Sequence, residues 1–129
     1  MSVAAAALFN TVSPKDVGQF FGKGGEVEAE KVVKFLKYKK EDVAVASDVP
    51  MSSVRYDERM PIELRQRMVE WATAINLVAT YFNNLDRTML WFQVSNPLLG
   101  DMSPRDMIRV GRFKKLQKFI QTALAENKR

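Results

Sequence analysis

The chain contains no cysteine and no histidine. Disulfides, the usual zinc sites and every catalytic design built on imidazole or a thiolate are therefore excluded. Long hydrophobic runs are also lacking. The longest uncharged stretch, residues 71–85, includes Thr73, Asn76, Thr80, Asn83 and Asn84, and is too short and too polar for a transmembrane helix. The apolar run from Val3 to Phe9 is short and no Lys or Arg precedes it. A secretory signal is not expected, and the expected location is the cytosol. Strand-like alternation of useful length is absent as well, which leaves helices to build the fold.

What is present suits one small folded unit. Of 129 residues, 47% are hydrophobic and 27% charged, too apolar a mixture for general disorder. The net charge of +5 is unevenly placed: the first 64 residues carry nine bases and ten acids, residues 65–129 eleven bases and five acids. A basic partner surface is therefore expected late in the chain.

Residues 1–25, with an alanine-rich patch, Ser13-Pro14 and Gly22, Gly24 and Gly25, read as an arm or linker holding one turn of helix. From Glu26 the spacing of Val27, Val32, Phe35, Leu36 and Tyr38 predicts a helix over residues 26–38, with acids near its N-terminus. A second short helix is expected over residues 40–47, closed at Asp48, a residue that tolerates the left-handed conformation. A third is expected over residues 51–55, with Ser52 or Ser53 available for capping. Pro61 fits the first turn of a helix. The stripe of Ile62, Leu64, Met68, Trp71, Ala72, Ile75, Val78, Ala79 and Phe82 then marks the central helix of the fold. Asn83-Asn84 breaks it. Leu85 to Val94 forms another apolar helix, stopped at Ser95-Asn96-Pro97 because proline lacks an amide hydrogen and disfavours helix just before it. Ser103-Pro104-Arg105-Asp106 carries a capping serine, a proline at the first helical position and an acid in the first turn, so a helix starts there. Gly111 ends it, and Phe113, Leu116, Phe119, Ile120 and Ala123 stripe a last helix. The expected fold is an all-α multi-helix bundle.

Two patterns combine into a resemblance. Residues 46–57 are similar to a degenerate helix-turn-helix, with Asp48 where such motifs carry glycine and Pro50 at the start of the recognition helix. The run Trp91-Phe92-Gln93-Val94-Ser95-Asn96-Pro97-Leu98-Leu99-Gly100-Asp101-Met102-Ser103-Pro104-Arg105-Asp106-Met107-Ile108, followed by Gly111, resembles the toxin-binding domain of the Xre/MbcA/ParS family of antitoxins. In that domain a tryptophan-bearing helix leads into Asn-Pro, a small apolar loop with glycine, a Ser/Thr-Pro helix start and a later glycine. The likeness in order and spacing runs over residues 26–124 and is strongest over 86–120; a second glycine is common in the family at the place of Asp101. The resemblance implies a helical, dimeric antitoxin of a type II toxin-antitoxin system. It would neutralise a RES-class, NAD-using toxin by covering its active site and repress its own operon by binding operator DNA. The organisation it implies is an arm (1–25), a helix-turn-helix-like region with the long helix (26–82) and a toxin-binding module (83–129).

Asn96, Pro97, Leu98, Leu99, Gly100, Met102, Ser103 and Pro104 form a loop fixed by proline and glycine, which presents apolar side chains with little ordering entropy left to lose. Leu98 and Leu99 either meet a partner or plug the chain's own core. Arg105, Arg109 and Arg112 recur at helical spacing, and with Lys114, Lys115 and Lys118 they face only Asp106. They form either a solvated basic face or a patch that enters the toxin's acidic or NAD-phosphate-binding cleft. Ser52, Ser53, Arg55, Tyr56 and Arg59, with Lys39 and Lys40 and beside Lys37, are the DNA-facing set, too few in a monomer for tight phosphate binding. Trp71, Ile75, Val78 and Trp91 read as core or dimer-seam anchors. No cofactor or metal is expected. Glu63, Glu70 and Asp86 make no visible carboxylate pair and no phosphate loop follows a strand, so nothing calls for an enzyme. A stand-alone helix-turn-helix-like regulator without a toxin and a purely structural helical domain are the competing readings.

Overall fold

A computed structural model describes residues 15–126. The alanine-rich patch, the turn of helix expected near it, Ser13-Pro14 and the last three residues lie outside the described residues. The described residues form an all-α bundle of six helices: α1 (Ala29–Leu36), α2 (Lys40–Ser47), α3 (Ile62–Phe82), α4 (Leu85–Gln93), α5 (Pro104–Arg109) and α6 (Phe113–Glu126). Two short 3-10 turns, Met51–Ser53 and Pro97–Leu99, interrupt the connections. Two isolated bridges, Phe21 with Val27 and Asn96 with Met102, are the only β pairings among the described residues.

Helix α3 is the axis. It packs on α1, α2, α4 and α6, and its middle turns are enclosed on all sides, from Trp71 through Asn76. Trp71, Met68, Leu64 and Ile75 fill the centre with Leu36, Phe92, Ile108 and Leu116 around them. Phe20, Phe35 and Phe92 meet edge to face in a chain, with centroids 5.8 and 6.0 Å apart, the geometry that ring quadrupoles favour. Ile62, expected on the apolar stripe, stands 66% exposed although Met60 and Leu64 on either side are buried, so it points away from the core.

The breaks follow local chemistry. Asp48 closes α2 with φ 57°, and Asn83 closes α3 with φ 52°. The Asn84 side chain then accepts the Arg87 amide and starts α4. The Ser103 hydroxyl accepts the Asp106 amide, with Pro104 in the first helical position. Gly111, at φ 84°, ends the α5 segment and turns the chain into α6.

Three segments differ from expectation. The first helix begins at Ala29 rather than Glu26 because residues 20–28 are spent on a tight turn: the Gly22 amide donates to Glu26 O and the Glu28 amide to Phe20 O. Residues 15–25, assigned to an arm or linker, lie against the bundle. Phe20 is buried in the core, and the Asp16 carboxylate accepts the Phe20 and Phe21 amides and the Asn76 side-chain amide. Asn76, itself buried, returns its oxygen to the Gly18 amide. The third helix, expected over residues 51–55, is reduced to the 3-10 turn Met51–Ser53, after which the chain runs irregularly to Pro61.

Candidate protein-docking site

The loop after α4 is built almost entirely by Asn96. Its side-chain oxygen accepts the Leu98 amide (2.9 Å), its carbonyl accepts the Leu99 and Asp101 amides (2.9 and 3.1 Å), and its own amide donates to Met102 O (3.0 Å). Two consecutive residues, Gly100 and Asp101, take φ 69° and 64°. The second carries a side chain in the left-handed region, a conformation that glycine adopts at the least cost. The loop thus has one conformation held from within. It splits the two leucines: Leu99 is half-buried and packs on the core with Met102, while Leu98 is 77% exposed. Leu98 does not plug the core.

Leu98 stands between two cavities. One, about 200 Å³, is apolar and lies among Val78, Tyr81, Phe82, Trp91, Phe119 and Leu124. The other, about 420 Å³, holds Leu99 and Met107 beside Arg112, Lys115 and Lys118. Leu98 and Phe119 belong to both. Trp91 and Phe119 stack, centroids 6.5 Å apart and planes 17° off parallel, forming a wall from α4 and α6. Tyr81, exposed on α3, belongs to the first cavity's lining. Phe119, expected on the buried stripe of α6, is instead half-exposed at this groove. Sequence reasoning missed Tyr81, Phe82 and Leu124 as surface groups, and the aromatic pair ending the long helix was the available signal.

Arg105 and Arg109 converge on Asp106 Oδ1, at 3.3 and 3.9 Å, as their spacing predicts, and Arg112 does not join them. Arg105 is a structural clamp: its guanidinium donates to Leu36 O (2.7 Å) and Lys37 O (3.1 Å), the open carbonyls at the end of α1. A cation there also complements the helix dipole. It lies 5.0 Å over the Tyr38 ring, whose hydroxyl donates to Arg105 O. Burial pushes the Tyr38 phenol above its ordinary value, opposed by Arg105. Arg105 is therefore held within the chain and is no free partner contact. Arg109 sits 3.9 Å from both Asp42 and Asp106. Arg112, past the turn at Gly111, is exposed and reaches only Met102 Sδ, at 3.6 Å. The helical spacing fails at Arg112 because Gly111 redirects the chain. Arg112, Lys115 and Lys118 have no carboxylate in ion-pair range among the described residues, and the first turn of α6 holds no acid.

The larger cleft between α3 and the start of α6, about 610 Å³, is floored by Trp71 and Ile108. On its edge Arg67 is already paired with Glu70 at 2.8 and 2.9 Å.

The DNA-facing set lacks a reading element. Ser52 is exposed and Ser53 half-buried on the single 3-10 turn; no helix between Asp48 and Pro61 is long enough to lie in a major groove. Arg55 is locked to Asp57 through two bonds of 2.8 and 2.6 Å, and Asp57 also accepts the Arg59 amide. The Arg55 bond holds the Asp57 carboxyl down at about 2. With Glu58 alongside, Arg55 and Arg59 carry no net excess of charge. Tyr56 is half-buried against the core, while Lys39 and Lys40 are exposed at the start of α2.

Trp71 and Ile75, at 1% and 0% exposure, are core residues of a single chain with no surface left for a second copy. Val78 is buried beneath the groove and Trp91 half-buried in its wall. Among the described residues no cluster of three metal-ligating side chains occurs, and no helix is long and apolar enough to cross a membrane. Comparison with family models, curated proteins and solved structures finds no match for this chain.

Proposed function

We propose that this protein is an antitoxin that neutralises a partner toxin by binding it through the surface around residues 96–102 and the start of α6. The carrying observation is Leu98: a large apolar side chain, 77% exposed, on a loop whose backbone is fixed by Asn96. A partner that covers such a group gains its apolar burial and loses little ordering entropy, because the loop is already fixed. The cations beside it, Arg112, Lys115 and Lys118, suit the acidic or phosphate-binding mouth of an enzyme. Neutralisation is then steric occlusion, and the RES-class NAD-using toxin named by the resemblance is the partner that fits this chemistry.

Homodimerisation and operator repression belong to the same reading as secondary roles. A dimer seam would draw on exposed apolar groups, since Trp71 and Ile75 are enclosed. Operator contacts would draw on Lys39 and Lys40, whose charge is unspent, rather than on the turn at Ser52. The test is co-expression with the product of the adjacent gene. Rescue of growth with a complex that co-purifies supports the reading; a harmless or non-binding neighbour overturns it and favours a stand-alone regulator.

A further inference from the structure

The apolar and the basic cavities are two halves of one trough, joined at Leu98 and Phe119. At one end the walls are Val78, Phe82, Trp91 and Leu124. At the other they are Arg112, Lys115 and Lys118, set three residues apart at the start of α6 and therefore crowded as like charges. No described carboxylate relieves them. Helices and a 3-10 turn form the trough, so an extended peptide finds no sheet edge to join, whereas a helix laid in a groove needs only side-chain complementarity. Leu98, at the centre, is unsuited to a phosphate backbone because it offers neither charge nor a donor.

We propose that the occupant is an amphipathic acidic helix of a partner protein. Its apolar stripe straddles Leu98, and its carboxylates lie over Arg112, Lys115 and Lys118. That this helix belongs to a toxin rests on the antitoxin reading; the groove and its preference do not. Apolar burial at the Leu98 end supplies affinity, and charge complementarity at the other end sets orientation and association rate.

The test uses the full chain, immobilised, against a displayed library of random peptides about four helical turns long. Enriched peptides are expected to combine apolar residues at helical spacing with net negative charge. Leu98→Asp should weaken the best peptide by about thirtyfold or more. Lys115→Glu with Lys118→Glu should weaken it about five- to thirtyfold and remove most of its salt dependence. All three residues are exposed, and thermal melts establish that the variants fold. No enrichment, enriched peptides lacking either the acids or the stripe, or binding indifferent to both variants overturns the proposal. So does a labelled DNA duplex whose binding needs Lys115 and Lys118 but ignores Leu98→Asp. Library enrichment without growth rescue by the neighbouring gene keeps the groove and discards the antitoxin role; rescue that survives both variants does the reverse.

Discussion

The connection after α4 and the connection after α2 both contain a proline and a 3-10 turn, and both offered candidate contact residues. They end differently. Residues 96–102 are organised by one asparagine into a closed loop that pushes Leu98 outward, and cations remain unspent beside it. Residues 49–60 spend their polar groups on themselves: Arg55 on Asp57, Asp57 on the Arg59 amide. A loop can serve as a contact surface when its backbone is satisfied internally and its side chains are not.

The contrast sharpens most at two arginines, Arg55 within the connection after α2 and Arg105 on α5, just past the connection after α4. Arg105→Ala removes the donors to Leu36 O and Lys37 O, and charged hydrogen bonds of this kind contribute about 1.5–3 kcal/mol each. Arg55→Ala removes only an exposed pair, which solvent screens almost completely. Denaturant midpoints should fall clearly for the first and hardly at all for the second. Equal losses would show that Arg55 holds its connection together as firmly as Arg105 holds the end of α1.

Leu98→Asp is expected to cost about 2 kcal/mol or more in partner binding while changing stability by no more than about 0.5 kcal/mol. Ser52→Ala in the other connection should change neither. Titration calorimetry with the co-purified partner, beside thermal melts, separates the two quantities. Asn96→Ala should cost about 1 kcal/mol, as loss of a capping side chain does, and blur the loop. Its amide exchange at Leu98 and Leu99 should rise without change in the core.

The remaining effects are in pH. The Tyr38 phenol is raised above its ordinary 10.0 by burial, so the unfolded chain ionises first. Its stabilising contribution is complete below pH about 10 and declines as pH rises past it. Tyr38→Phe should flatten that alkaline limb. Asp57, held near 2 against an ordinary 3.8, contributes above pH about 4 and loses its contribution as pH falls toward 2. Exposure keeps this limb shallow, and Asp57→Asn should remove it. A steep acid limb there would mean the Arg55–Asp57 pair matters more than its exposure implies.

The sequence by itself determined the helical architecture and most of its boundaries, because those signals are local. The left-handed closure at Asp48, the break at Asn83-Asn84, the Ser103-Pro104 start and the Gly111 stop each depend on a few neighbouring atoms. The same locality explains the failures. A 3-10 turn and a short helix over residues 51–55 differ by one hydrogen-bond register, and packing chooses between them. Only the tertiary structure decided which side chains of the candidate site are free. Arg105 and Arg112 look alike in sequence, yet the first meets carbonyls 68 and 69 residues away while the second is left at the surface. Leu98 and Leu99 are identical neighbours, and the loop's hydrogen bonds and the placement of α4 and α6 send one inward and one out. Availability for a partner is set by what else in the fold comes near, and no local pattern carries that.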